Sequence, residues 1–203
     1  MRCLAACLLL APVLVRGGEI LESSVRVAHG EYRVSVSARI DAAPAVVFST
    51  ITDYANLAAI VPSIRSSRVL QVQGPDRQRI ETVTGACILI FCKDISQVQD
   101  VRHLGEYRLE ATTLPGMSDL KRGHARWRLL PVGEATELHF SQEFVPDFGV
   151  PASSGTWMIE RLLLGEVRAT SNYIEQRHAG EGSCCPGQTS ARACWPGRSA
   201  TPG

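Results

Sequence analysis

The chain has 203 residues, room for one sizeable domain with extras, and 45% of them are hydrophobic, enough to build a core. Basic and acidic residues number 21 and 20, giving a formal net charge of +1. That balance removes the electrostatic basis for nucleic acid or an acidic membrane surface as the principal partner.

The N-terminal stretch MRCLAACLLLAPVLV carries one charge, Arg2, ahead of an apolar run of signal-sequence length. The run is shorter than the roughly 20 residues of a helical membrane span. Residues 1–18 therefore read as an export signal, with Gly17 and Gly18 in place of an A-x-A cleavage pattern, and the expected location is periplasmic or secreted. LAAC at residues 4–7 looks like a lipobox, but Cys7 precedes the end of the apolar run instead of following it.

Residues 31–40, EYRVSVSARI, alternate cleanly, with Tyr32, Val34, Val36, Ala38 and Ile40 on one face. This is a strand with one buried side. Pro44 suits the first position of a short helix carrying Val47, Phe48 and Ile51. Asp53 can cap a second short helix with Leu57 and Ile60 on one face, and Pro62 stops it.

Strand patterns then return at 67–73, 77–85, 86–92 running into KDISQVQDV, 105–113, 121–131 and 137–146. GPD at 74–76, LPGMSD at 114–119 and VGEAT at 132–136 are the turns and loops between them. Cys87 and Cys92 are the two of the seven cysteines that lie in the body of the chain. Five residues along a straight strand cover about 16 Å, too far for a disulfide. They could bond only if the chain turned between them, and ILIF is a poor turn sequence, so they read as small buried hydrophobes.

From about Ala152 to Arg177 the chain reads as one long helix. Met158, Leu162, Ala169 and Tyr173 approximate an apolar stripe, widened by Ile159, Leu163, Val167 and Ile174. Glu160, Arg161, Glu166 and Arg168 suit the wet face. Residues 179–203, rich in Gly, Pro, Ser and Ala and without periodicity, read as a disordered tail.

The order is strand, two small helices, about six strands, one long helix. A single antiparallel sheet with an apolar face needs a cover, and the terminal helix can lie across it while the small helices close the open end. The layout resembles the helix-grip fold of the START and Bet v 1-like (SRPBCC) superfamily, an α+β class with a curved sheet of six or seven strands on a long C-terminal helix. It is most similar to the coenzyme Q-binding, polyketide cyclase-like START subgroup, which also contains the ribosome-association toxin. The resemblance covers roughly residues 30–178, read as one ligand-binding domain. It rests on IDAAPAVVFSTITDYANLAAIVPSI, on GMSDLKRGHARWRLLP with Gly123, Trp127 and Pro131, and on EFVPDFGVP leading into the last helix. It implies a lipid-like, quinone-like or polyketide-like hydrophobic ligand in an internal cavity, with transient membrane contact. The export segment departs from the cytosolic and mitochondrial members, which weighs against a ribosome partner and a respiratory quinone role.

Strand parity separates binding from chemistry. Ala125, Trp127 and Leu129 share one face, and Leu138, Phe140, Gln142 and Phe144 another, so both sets should point inward. His124, Arg126 and Arg128, with His139, Ser141 and Glu143, should then face water. The expected ligand-binding residues are Trp127, Phe140, Gln142, Met158, Leu162, Thr82 and Gln97, with the neutral polar groups orienting a carbonyl or hydroxyl. A cyclase or dehydratase is the competing reading. Its carriers would be His124, Arg126 and His139, should the register place them inside. A ribosome-association module is the third reading, disfavoured by the near-neutral charge. No G-x-S-x-G, P-loop, H-E-x-x-H or Cys/His cluster of zinc spacing occurs, and no cofactor or metal is implied.

Overall fold

The computed structural model describes residues 18–88, 91–150 and 155–182. The segment read as an export signal, apart from Gly18, and most of the segment read as a tail lie outside the described residues.

Eight strands form one antiparallel sheet. They are β1 (Glu19–Ala28), β2 (Glu31–Ile40), β3 (Ile64–Val72), β4 (Arg77–Ile88), β5 (Phe91–His103), β6 (Arg108–Thr113), β7 (Leu120–Val132) and β8 (Ala135–Pro146). Their order across the sheet is β1-β2-β8-β7-β6-β5-β4-β3. Two short helices, α1 (Pro44–Ile51) and α2 (Leu57–Ile60), lie between β2 and β3, and α3 (Gly155–Gly182) ends the described chain. This is the expected α+β helix-grip arrangement.

The order explains the early helical interruption. β2 and β3 are consecutive in sequence, yet β3 is the far edge of the sheet. The chain must cross the whole concave side to reach it, and α1 and α2 are that crossing. Pro44 stands at the first helical position of α1, as its missing N–H permits. α2 ends at Ile60, ahead of Pro62. Asp53 does not cap α2. The residue at the cap position is Asn56, whose Nδ2 donates to both carboxylate oxygens of Asp53 at 2.9 and 3.0 Å. The chain makes a tight turn between the two helices, and the carboxylate is used to hold that turn.

β1 is a strand that the sequence reading left unassigned, ahead of the span read as the domain. It joins β2 through His29 and Gly30, both with positive φ (51° and 77°), the requirement of a two-residue hairpin turn. A register shift between Ile20 and Glu22 breaks the alternation that would have announced it. In β2 the reading holds: Tyr32, Val34, Val36, Ala38 and Ile40 are all buried.

The stretch 86–92 is not one strand. β4 ends at Ile88 and β5 begins at Phe91, antiparallel, with Cys87 directly opposite Cys92. The two are joined by a disulfide, and both are exposed. The straight-strand distance therefore never applied: folding back makes them cross-strand neighbours. The reading of two buried thiols is overturned for the same reason, because the hairpin carries them to the sheet's end. α3 also continues to Gly182, past the start of the segment read as tail.

One part of the core lies where β2, β7, β8, α1 and α3 meet. Ile40, Ala42, Val47, Leu129, Leu138 and Ile174 form one buried cluster there. Thr136, fully buried, donates its hydroxyl to the carbonyl of Ala42 at 2.6 Å, tying β8 to the start of the crossing. A second cluster, including Tyr54, Ile80, Val101, Leu109, Ala111 and Ala125, packs the middle of the sheet under α1 and α2.

Leu129→Ala should cost about 2–5 kcal/mol of unfolding free energy, since the side chain is buried in the first cluster. Val72→Ala, on a residue 67% exposed, should change stability by no more than about 0.5 kcal/mol. Urea melts of the two variants check the contrast.

Candidate functional site

α3 packs mainly on β1 and β2, at one side of the sheet. The concave face beyond it stays hollow, leaving a cavity of about 620 Å³. That is a normal size for a small-molecule site. Its floor comes from the inward positions of β4, β5, β7 and β8, its roof from α3, and its ends from α2 and the residues after β8.

Strand alternation sets which side chains reach it. On β7 and β8, Trp127 stands opposite Phe140, with ring centroids 5.0 Å apart, and Leu138 and Phe144 continue that wall. On β4 and β5 the register pairs Thr82 with Gln97 and Ile80 with Gln99. Gln97 Nε2 donates to Thr113 Oγ1 at 2.7 Å, which fixes its amide on the floor. Gly123 makes room for that pair: a Cβ there would come within 2.4 Å of Thr113 Oγ1. One residue of the GMSDLKRGHARWRLLP stretch is thus glycine where a partly buried hydrogen bond passes over it.

The seven residues expected at the ligand site come together. Thr82, Gln97, Trp127, Phe140, Gln142, Met158 and Leu162 all line this one cavity. Parity also holds for the outward set. Arg126 is exposed, and His139 lies on the convex side, its Nδ1 3.0 Å from Ser37 Oγ and its Nε2 3.0 Å from Glu137. His124 faces Thr112 and Glu110 there. None of the three lines the cavity.

Of the polar cavity groups that escaped the sequence reading, two carry the site's character. Tyr54, at the Asp53-Tyr54 step, reaches in from between α1 and α2, and its hydroxyl meets His103 Nε2 at 3.0 Å. Burial pushes its phenol well above the ordinary range, so it stays protonated. The other is Glu166. Its place among Arg161 and Arg168 suggested a solvated face, but in α3 it points into the cavity beside Leu162, Leu163 and Val167 and accepts a hydrogen bond from Ser63 Oγ. A charge within the apolar stripe, one turn from Leu162, was the available signal.

Burial raises the Glu166 carboxyl above the ordinary carboxylate range, and the Ser63 hydrogen bond opposes this only in part. Glu175, one of whose oxygens accepts from the Asp41 backbone N–H, is raised by burial as well.

At the cavity rim lie Cys87, Cys92, Lys93, Phe148, Gly149 and Val150. The Lys93 ammonium sits 4.8 Å from the centre of the Phe148 ring. The disulfide thus pins the β4–β5 hairpin where the cavity opens.

A proton held more tightly in the folded than in the unfolded state makes stability fall as pH rises from the ordinary carboxylate value to the raised one. Glu166 and Glu175 both act in this sense. The decline in urea midpoint above the usual Glu range should therefore be shallower in Glu166→Gln than in the unsubstituted chain. Parallel profiles would contradict a raised Glu166 carboxyl.

Comparison with known proteins adds three findings. The family described as polyketide cyclase / dehydrase and lipid transport matches residues 31–175. No curated protein sequence matches the chain. Among solved structures, a START superfamily protein from Mycobacterium smegmatis is similar at 16% identity and a TM-score of 0.60, covering 71% of this chain and 98% of that one. The STAR-related lipid transfer protein of Xanthomonas axonopodis is similar at 17% identity and a TM-score of 0.59, over 79% and 100%. The Zhui aromatase/cyclase of Streptomyces sp. R1128 is similar at 15% identity and a TM-score of 0.59, over 72% and 95%. At these identities the likeness is one of fold.

Proposed function

We propose, from the premise that the chain belongs to the polyketide cyclase / dehydrase and lipid transport family, that it is a non-catalytic binder or carrier of a hydrophobic small molecule. The observation that carries this reading is the cavity wall, mainly apolar along β2, β7, β8 and α3 apart from Gln142, Glu166, Thr170 and Ser171, and dotted with neutral Thr and Gln groups along β4 and β5. Such a wall binds by surface burial. A ligand hiding about 300 Å² of apolar surface gains on the order of 7 kcal/mol before the loss of its freedom is subtracted. The cyclase reading draws its acid–base candidates from His124, Arg126 and His139, and their position on the convex face leaves them out of reach of a molecule in the cavity.

Native mass spectrometry of protein purified from a lysate that retains its membranes should show an added mass in the range of a lipid, quinone or polyketide. Ala125→Phe, which projects a ring into the cavity from the centre of β7, should abolish that mass. Only the bare chain mass in the parent protein, or turnover of a polyketide substrate lost on changing His124, Arg126 and His139 to Ala, would overturn the reading.

Export to an oxidising compartment belongs to the same proposal. The apolar run at residues 1–15 and the exposed Cys87–Cys92 disulfide support it together, because such bonds persist outside the reducing cytosol. Trp157, 55% exposed next to the cavity residue Met158, supports a brief contact with a membrane during loading. Alkylation of the protein in intact cells should leave Cys87 and Cys92 unmodified until a reductant is added. Full modification without reductant would contradict export.

A further inference from the structure

The cavity wall is not uniform, and its polar part has a definite end. Ser63 lies just before β3, whose first residue, Ile64, pairs with Thr84. The Ser63 carbonyl accepts the backbone N–H of Gly85 at 2.8 Å, so the β3 edge is fixed against β4 at this point. From there Thr84 and Thr82 run along β4, with Gln97 and Gln99 beside them on β5, all lining the cavity. Glu166 reaches this strip from α3 and takes the Ser63 hydrogen bond. The aromatic and aliphatic wall of Trp127, Phe140 and Leu138 stands on β7 and β8, further across the sheet.

Among the described lining residues, the ionisable groups besides the disulfide are Tyr54, Lys93 and Glu166. Tyr54 is engaged with His103, and Lys93 is exposed at the rim over Phe148. Glu166 is the carboxyl group among the described lining residues, and it accepts a hydrogen bond from a neutral hydroxyl.

We propose that Glu166, held by Ser63, is the head-group site of the cavity, and that it selects amphiphiles with a neutral hydroxyl or carbonyl head over those with a carboxylate head. The proposal rests on the reading of the cavity as a hydrophobic ligand site and names the class of molecule it takes. A partly buried carboxyl group, in its protonated form, can donate to a carbonyl or exchange hydrogen bonds with a hydroxyl. Burial raises the Glu166 carboxyl in that direction. A carboxylate head would instead meet a second carboxyl group, away from water, and one of the two would have to give up its charge.

The full chain is titrated with Nile red, a neutral dye, which is then displaced by tetradecanol, tetradecanoate or tetradecylamine. Three chains are compared: the parent, Glu166→Leu and Glu166→Gln. Tails are matched, so the ratio of alcohol to carboxylate affinity reports the head group. That ratio should be about tenfold larger in the parent than in Glu166→Leu, with Glu166→Gln keeping the parent's alcohol affinity within a few-fold. Ser63→Ala, which keeps the acid and removes its hold, should lower the ratio part of the way. An unchanged ratio in Glu166→Leu, or tetradecylamine as the tightest ligand of the parent, would overturn the head-group assignment while leaving the cavity reading in place. A parent protein that binds no dye, or dye that no amphiphile displaces, would overturn both.

Discussion

One helix is too narrow to cover eight strands. A helix with its side chains is about 10–12 Å across, whereas eight strands at about 4.8 Å spacing span close to 40 Å. α3 therefore protects the β1–β2 side on which it packs, and curvature of the sheet, with α1 and α2 at the end, must shield the rest. The enclosed space follows from that mismatch of widths. The apolar inward faces of β7 and β8 are kept from bulk water by a roof they touch only in part, and a hydrophobic guest would complete the packing.

The same geometry places polarity. The crossing from β2 to β3 ends at Ser63, whose hydroxyl donates to the Glu166 carboxyl of α3 just ahead of the far edge strand. The neutral groups on β4 and β5 lie next to that contact, and the aromatic pair Trp127 and Phe140 lies across from it. The carboxyl of Glu166 and the Thr and Gln groups of β4 and β5 thus lie toward one side of the cavity, with Gln142 set among the apolar side chains of β8. On the convex side, His124 lies near Glu110, His139 meets Ser37 and Glu137, and Arg126 is exposed; none of the three lines the cavity.

Much of this was legible in the sequence because strand alternation is a strict code. Once Tyr32 to Ile40, Ala125 to Leu129 and Leu138 to Phe144 are assigned an inner face, the wall residues follow, and all seven expected at the site line the cavity. What escaped was set by tertiary context. β1 carries a register shift that spoils its alternation. The return between β4 and β5 carries none of the Gly, Asn or Asp that marks a hairpin, so Cys87 and Cys92 looked far apart along one strand. Glu166 sits among charged neighbours on α3, and helical spacing alone cannot tell an acid at the edge of the wet face from one aimed into a hollow.

The most direct measurement is an experimental crystal structure of the protein purified without removal of bound lipids. The account predicts continuous density inside the β-sheet, its polar end near Glu166 and Ser63 and its body along Trp127 and Phe140. A cavity closed by collapse of those same side chains onto the sheet, with no space for a guest, would contradict it.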